Sequence, residues 1–249
     1  MSAPPGSPGE RLTARRARAV LVVTIVVTGI LYAVPGLRWL AWPLRLLSTL
    51  AHELGHGLAA VLVGGRFEAL LMWSDGSGVA TWTALTSRLS HAIIAAAGLL
   101  GPALAAAACF LLGRSPRGSR ITLCAMGGGL VLADVLVVRT LFGVLFVALL
   151  AVVMLVVALA GRPWMSQVAL ILMGVQLALS VFSRGDYLFT PVARTEAGSV
   201  PSDVAQIAEA LLLPYWFWGG AIAALSVLIL GVALVIFLRA GPAADAELT

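Results

Sequence analysis

The sequence predicts an all-α polytopic membrane protein of about seven transmembrane helices, with one small β-hairpin after the second of them. Three observations carry that expectation. Apolar residues make up 61% of the 249 and charged residues 11%, with a mean hydropathy of +1.03, which no ordinary soluble domain matches. The apolar residues gather in runs near the roughly 20 residues that cross a bilayer. One stretch, residues 66 to 83, breaks that texture with two short β-prone runs about a strong turn.

Residues 1–18 are rich in Pro and Gly, then basic (Arg11, Arg15, Arg16, Arg18), and read as a disordered tail with a cytoplasmic signature. Ala19 to Val34 is the first hydrophobic segment. A signal peptide is the rival reading, but the apolar region is long for one and no clear small-x-small site follows. Pro35 to Pro43 is a turn carrying the interfacial aromatics Trp39 and Trp42. Leu44 to Val63 is the second segment, closed by Gly64-Gly65.

The runs Phe67 to Trp73 and Val79 to Thr83 flank Asp75-Gly76-Ser77-Gly78, a hairpin pattern. Its unpaired edge is not tolerated in lipid, so it must lie at the interface or against protein. Ser90 to Leu112 is the third segment, with Gly98, Gly101 and Pro102 suited to close helix approach. Ile121 to Val138, Leu141 to Ala160 and Met165 to Val181 follow, and Trp216 to Leu238 is the last. Before it lies the longest polar stretch, Ser183 to Leu213, in which Ser202 reads as the N-cap of a short helix that ends before Pro214. The expected organisation is one transmembrane domain over 19–239, with a short C-terminal tail over 240–249.

The net charge is +5, every basic residue is Arg, and the chain has neither Lys nor Asn. The arginines stand at the ends of apolar runs, where the positive-inside rule expects them, and place the N-terminus in the cytoplasm. On that orientation the Arg114–Arg120 loop faces outward, against the rule. A basic groove interleaved with aromatics is missing, which argues against a nucleic-acid partner and leaves the lipid bilayer. Cys109 and Cys124 fall inside hydrophobic segments and read as packing residues.

The second segment contains His52-Glu53-Leu54-Gly55-His56, an H-E-x-x-H pattern holding two of the three histidines. On a helix, His52 and His56 sit one turn apart on one face and can bind one zinc ion. Glu53, beside the first ligand, can take a proton from a zinc-bound water. Ionisable groups in an apolar span are costly, so function is the default reading. A structural cluster, with Glu53 paired to Arg45, is the bland one. A catalytic zinc wants a third protein ligand. Asp134, Asp186, Asp203, Glu209 and His91 are the candidates. Asp134 can instead pair with Arg139, Asp203 can serve the helix dipole, and His91 can be interfacial. The pattern by itself does not choose.

The zinc motif is followed by Gly-Gly-Arg-Phe and Asp-Gly-Ser-Gly-Val. Further on come Ala97-Gly98-Leu99-Leu100-Gly101-Pro102, Val138-Arg139-Thr140-Leu141-Phe142-Gly143, and Ser202-Asp203-Val204-Ala205 through Trp218-Gly219. Over roughly Leu44 to Leu238 the chain resembles the site-2 protease superfamily of intramembrane zinc metallopeptidases, in its small bacterial M50B-like branch. The resemblance implies a Zn2+ cofactor, Glu53 as general base, and a membrane-anchored protein substrate such as a regulator, in a bacterial plasma membrane. In that branch a Ser-Asp-Ala-like stretch before the last span supplies a characteristic acid. It matches Asp203 here, ahead of Asp186 and Asp134, with Val204 in place of a small residue. The Asn-x-x-Pro and Asp-Gly signature of better-known members is absent. That absence motivates the alternative of a non-catalytic scaffold or partner-binding protein of the same fold. The intact Glu53 argues for hydrolysis.

Overall fold

A computed structural model describes residues 8–34, 36, 38–83, 87–183, 187–195 and 198–239. The architecture is mostly helical. In chain order it runs α1 (Pro8–Ala33), α2 (Arg38–Leu62), β1 (Arg66–Met72), β2 (Gly78–Thr83), α3 (Arg88–Leu112), α4 (Pro116–Leu136), α5 (Leu141–Leu159), α6 (Pro163–Ser183), β3 (Val192–Thr195), β4 (Gly198–Pro201), α7 (Asp203–Leu211) and α8 (Tyr215–Arg239). A 3-10 turn, Tyr187–Phe189, precedes β3.

α1 starts earlier than expected. The helix takes in residues 8–18, read above as a disordered tail. Proline suits the first helical position, and Arg is a good helix former. Residues 1–7 and the tail 240–249 lie outside the described residues.

Among the described residues, α3, α4, α5, the stretch Pro163–Phe189 containing α6, and α8 are long and apolar enough to cross a membrane. The expected count of about seven therefore also counts α1 and α2. α1 contributes a shorter apolar run, Arg18–Leu31. α2 is interrupted by Arg45, Ser48, Thr49, His52, Glu53 and His56, the polar groups that make it interesting. α5 shows what a lipid face looks like: Leu141, Leu145, Leu149, Val152, Val156 and Leu159 are all exposed. No charged residue interrupts it.

α2 and α3 pack at backbone distance. A Cβ on Gly55 would stand 2.4 Å from the Ala97 carbonyl oxygen, and one on Gly101 2.6 Å from that of Ala51. Glycine is what permits this approach. Leu46, Leu50, Leu70, Met72, Leu123 and Leu170 lie in the main core. A second cluster, with Leu99, Leu188, Val204, Ile207 and Ile222, holds α7 against α3 and α8. Cys109 is buried, Cys124 half-buried, and both are free thiols.

The expected hairpin is present. β1 and β2 pair antiparallel, with Leu70 opposite Ala80 and Met72 opposite Gly78, and an irregularity between Phe67 and Ala69. The outer edge of β1 is covered by the chain after α4: Leu70 N–H donates to the Val137 carbonyl (2.8 Å), and Arg139 N–H to that of Leu70 (3.0 Å). A second antiparallel hairpin, β3–β4, was not anticipated. It pairs Val192 with Pro201 and Thr195 with Gly198. Ser202 caps α7 as expected, its hydroxyl accepting from Ala205 N–H at 3.3 Å.

Candidate metal centre

The site is assembled from α2 and the start of α7. His52 and His56 lie one turn apart, with their Nε2 atoms 3.2 Å from each other. Asp203, first residue of α7, reaches across to both. His52 Nε2 is 3.1 Å from Asp203 Oδ2, and His56 Nε2 is 3.4 Å from Oδ1. All three ligand atoms lie within 4.8 Å of one another. Donors bound tetrahedrally at zinc distances stand roughly 3.4 Å apart, so the donor set fits such an ion.

The ring of His56 is oriented by α3. Its Nδ1 is 2.9 Å from the Ile94 carbonyl oxygen. A carbonyl only accepts, so Nδ1 carries a hydrogen and Nε2 is the nitrogen turned to His52 and Asp203. α3 comes close enough for this because of Gly98: a Cβ there would stand 2.2 Å from His56 Nε2. Asp203 is held as a carboxylate. Burial by itself would raise it, but the facing His56 and His52 outweigh burial and keep it below the usual carboxylate range.

Glu53 is buried beside this set. Its Oε2 accepts the Ala80 N–H of β2 at 2.7 Å, the bond recorded in place of the conceivable pairing with Arg45, which is exposed. One turn earlier Thr49 donates to the Gly76 carbonyl at 2.7 Å, so the hairpin lies along α2 beside the acid. The Ala80 N–H points to α2 and away from β1. The edge of β2 that carries it therefore faces the site.

The other candidates lie elsewhere. Asp134 sits near the end of α4, its Oδ1 buried without a partner. Arg139 turns instead to the carbonyls of Leu136 and Val138. His91 is exposed at the start of α3, its Nδ1 3.0 Å from the Ser87 carbonyl oxygen and its ring against Trp82. Glu209 is exposed on α7. Asp186 lies outside the described residues.

One residue escaped the sequence reading. The Tyr187 ring lies nearly perpendicular to that of His52, centroids 6.1 Å apart, and its hydroxyl donates to Asp203 Oδ2 at 3.4 Å. A tyrosine in a polar loop gives no periodic or motif signal, and the fold alone brings it here.

Among curated proteins and among solved structures, no match was found. A model of the family described as Peptidase M50B-like matches residues 17–233, a span that contains α2, both hairpins, α7 and most of α8. The chain belongs to the Peptidase M50B-like family.

Proposed function

We propose that the protein is an intramembrane zinc endopeptidase that hydrolyses a peptide bond of a membrane-spanning protein. The observation that supports it most is the convergence of His52, His56 and Asp203 next to a buried Glu53. His52 Nε2, His56 Nε2 and the Asp203 carboxylate would hold a zinc ion, which when bound would supply a Lewis acid that polarises a water. Glu53 is the group that takes a proton from a water as its oxygen attacks the peptide carbonyl carbon. The same carboxyl then passes the proton to the leaving amine nitrogen as the C–N bond breaks. The Ala80 N–H donates to Oε2, so β2 orients the carboxylate and leaves it further lone pairs to accept the proton.

A helical substrate hides its carbonyls in its own hydrogen bonds and must unwind before attack. The edge of β2 that faces the site offers an extended segment a backbone to pair with. In this reading a single transmembrane domain spans 19–239 of a bacterial plasma-membrane protein with its N-terminus in the cytoplasm. Its substrate is a membrane-anchored protein.

The test is metal content on protein purified in detergent. Wild type and Glu53→Gln are expected to carry about one zinc per chain, and His56→Ala and Asp203→Ala to lose it. A wild type without zinc after gentle handling would overturn the reading. Metal retained in Asp203→Ala alone would move the third ligand to another acid.

A further inference from the structure

The arginines are spread unevenly over the helix bundle, and a few contacts fix what stands at one end of it. Arg18 of α1 donates to the Leu238 carbonyl of α8 (2.6 Å). The rings of Phe110 and Phe237, near the ends of α3 and α8, have centroids 6.0 Å apart. Gln167, early in α6, donates to the Gly113 and Arg114 carbonyls (3.0 and 3.2 Å). Arg120, early in α4, donates to the Leu159 carbonyl at the end of α5 (3.4 Å). The α3–α4 loop, the α5–α6 loop, the end of α8 and Arg18 therefore share one end. α7 packs near the other end of α3, against Ala92, Ala95 and Leu99. Counting spans places Arg18 and the Arg114–Arg120 loop on opposite faces; the packing puts them on the same one.

Six arginines gather there: Arg18, Arg114, Arg117, Arg120, Arg162 and Arg239. All are exposed except Arg114, which is half-buried. The stretches 110–120, 159–167 and 237–239 contain no Asp or Glu. Among the described residues, the ion pairs recorded are both at the metal centre. The adjoining terminal stretches leave the balance unchanged, since Glu10, Asp245 and Glu247 are matched by Arg11, Arg15 and Arg16. The end near α7 is different: there Arg66 and Arg88 stand with Glu68 and Glu209. So many unpaired cations repel one another and attract anions.

We propose that the arginine-rich end binds the headgroups of anionic phospholipids. The guanidinium fork matches a phosphate with two parallel hydrogen bonds. The surroundings select a lipid over a free anion. Leu112, Leu159, Met165 and Leu238 are exposed among the arginines and give acyl chains a seat that inorganic phosphate does not use. Trp164, also exposed, is an interfacial residue by type and stands two positions after Arg162. The positive-inside rule accounts for the sign of such an end but demands no preference between lipids; this arrangement does. Headgroups held here fix the depth of α3 and α8, whose other ends pack around α7.

The test uses the full chain purified in micelles that carry equal amounts of phosphatidylglycerol and phosphatidylcholine, with chain lengths chosen so that their masses differ. Native mass spectrometry reads the ratio of the two lipids retained. Wild type is expected to retain phosphatidylglycerol about fivefold over phosphatidylcholine, the factor that one arginine near an anionic surface supplies. Two paired variants lower the net charge by the same amount. Arg117→Gln with Arg162→Gln, at the arginine-rich end, is expected to bring the ratio below about twofold. Arg66→Gln with Arg88→Gln, at the other end, leaves it at the wild-type value. A ratio near one in wild type would overturn the proposal. So would a preference that survives the first pair or falls equally with the second, because bulk charge rather than this end is then responsible. Arg162→Gln alone lowers the ratio in the same direction and serves if the first pair fails to fold. None of these readouts involves zinc or turnover, so the lipid site and the peptidase reading stand or fall separately.

Discussion

The two hairpins share one motif and serve the site in different ways. β1–β2 is embedded. Leu70 and Met72 are fully buried, the outer edge of β1 is covered by Val137 to Arg139, and Thr140 donates to the Met72 carbonyl at 2.7 Å. β3–β4 is peripheral. Every residue of β4 is exposed, as is Val192 on β3. A hairpin edge inside a membrane domain must be covered by protein, and the first hairpin meets that demand on one side while reserving the other for Glu53. The second has no such demand on it. Its contribution is at its base, where Ser202 N–H donates to the Pro191 carbonyl (3.0 Å) and the Ser202 hydroxyl to that of Thr190 (2.6 Å). Those bonds fix the residue before Asp203. One hairpin positions the acid proposed as general base through strand contact, and the other positions the proposed ligand through its anchor.

That difference is breakable at single residues. The largest effect is expected at Gly78, in the embedded hairpin. A Cβ there would stand 2.7 Å from Thr49 Cγ2 and 2.9 Å from Glu53 Cγ. Gly78→Val forces β2 off α2, and the Ala80 N–H leaves the Glu53 carboxylate. A displacement of this kind costs about 100-fold in turnover, with zinc content unchanged. Turnover and metal analysis on the same preparation check it, and undiminished turnover removes β2 from the mechanism. The next effect belongs to the peripheral hairpin. Ser202→Ala deletes the cap of α7 and its tie to Thr190, at about 1 kcal/mol of stability. Loosening a group that orients a ligand lowers zinc affinity by about tenfold, measured by competition with a chelator. Unaltered affinity would show that packing of Val204 and Ile207, rather than the cap, holds Asp203 in place.

The same contrast explains what the sequence made legible. The first hairpin announces itself through Asp75-Gly76-Ser77-Gly78 between β-prone runs, and Gly76 has the positive φ, +93°, that such a turn calls for. The H-E-x-x-H spacing places two imidazoles on one face of any helix. Ser202 reads as a cap because capping is local chemistry. The second hairpin was illegible: Val192 to Pro201 has neither alternation nor a turn pair, and its strands are four residues each. α1 runs from Pro8, through residues whose Pro and Gly content and basic run read as a tail. Spatial partners were beyond reach for a different reason. Asp203 lies about 150 residues from His52, and only the resemblance favoured it over Asp134. Tyr187 and the Ile94 carbonyl carry no pattern at all, since their roles come from packing of α3 and α8 around the site.

The smallest effect is expected at the far end of β3–β4, and it tests how far that hairpin communicates with its base. Gly198 has φ +122°, a region that residues with a Cβ rarely adopt, yet a Cβ there would meet nothing within 4 Å. Gly198→Ala therefore carries backbone strain, on the order of 1–3 kcal/mol, without any clash. The strain lowers the melting temperature by a few degrees. If the peripheral hairpin acts only through its anchor, the strain dissipates across exposed strands before it reaches Ser202, and zinc affinity stays within about twofold. A fall in affinity as large as that of Ser202→Ala would mean that the strands transmit their geometry to Asp203. The two hairpins would then differ in location alone, and both would be parts of the machinery along their whole length.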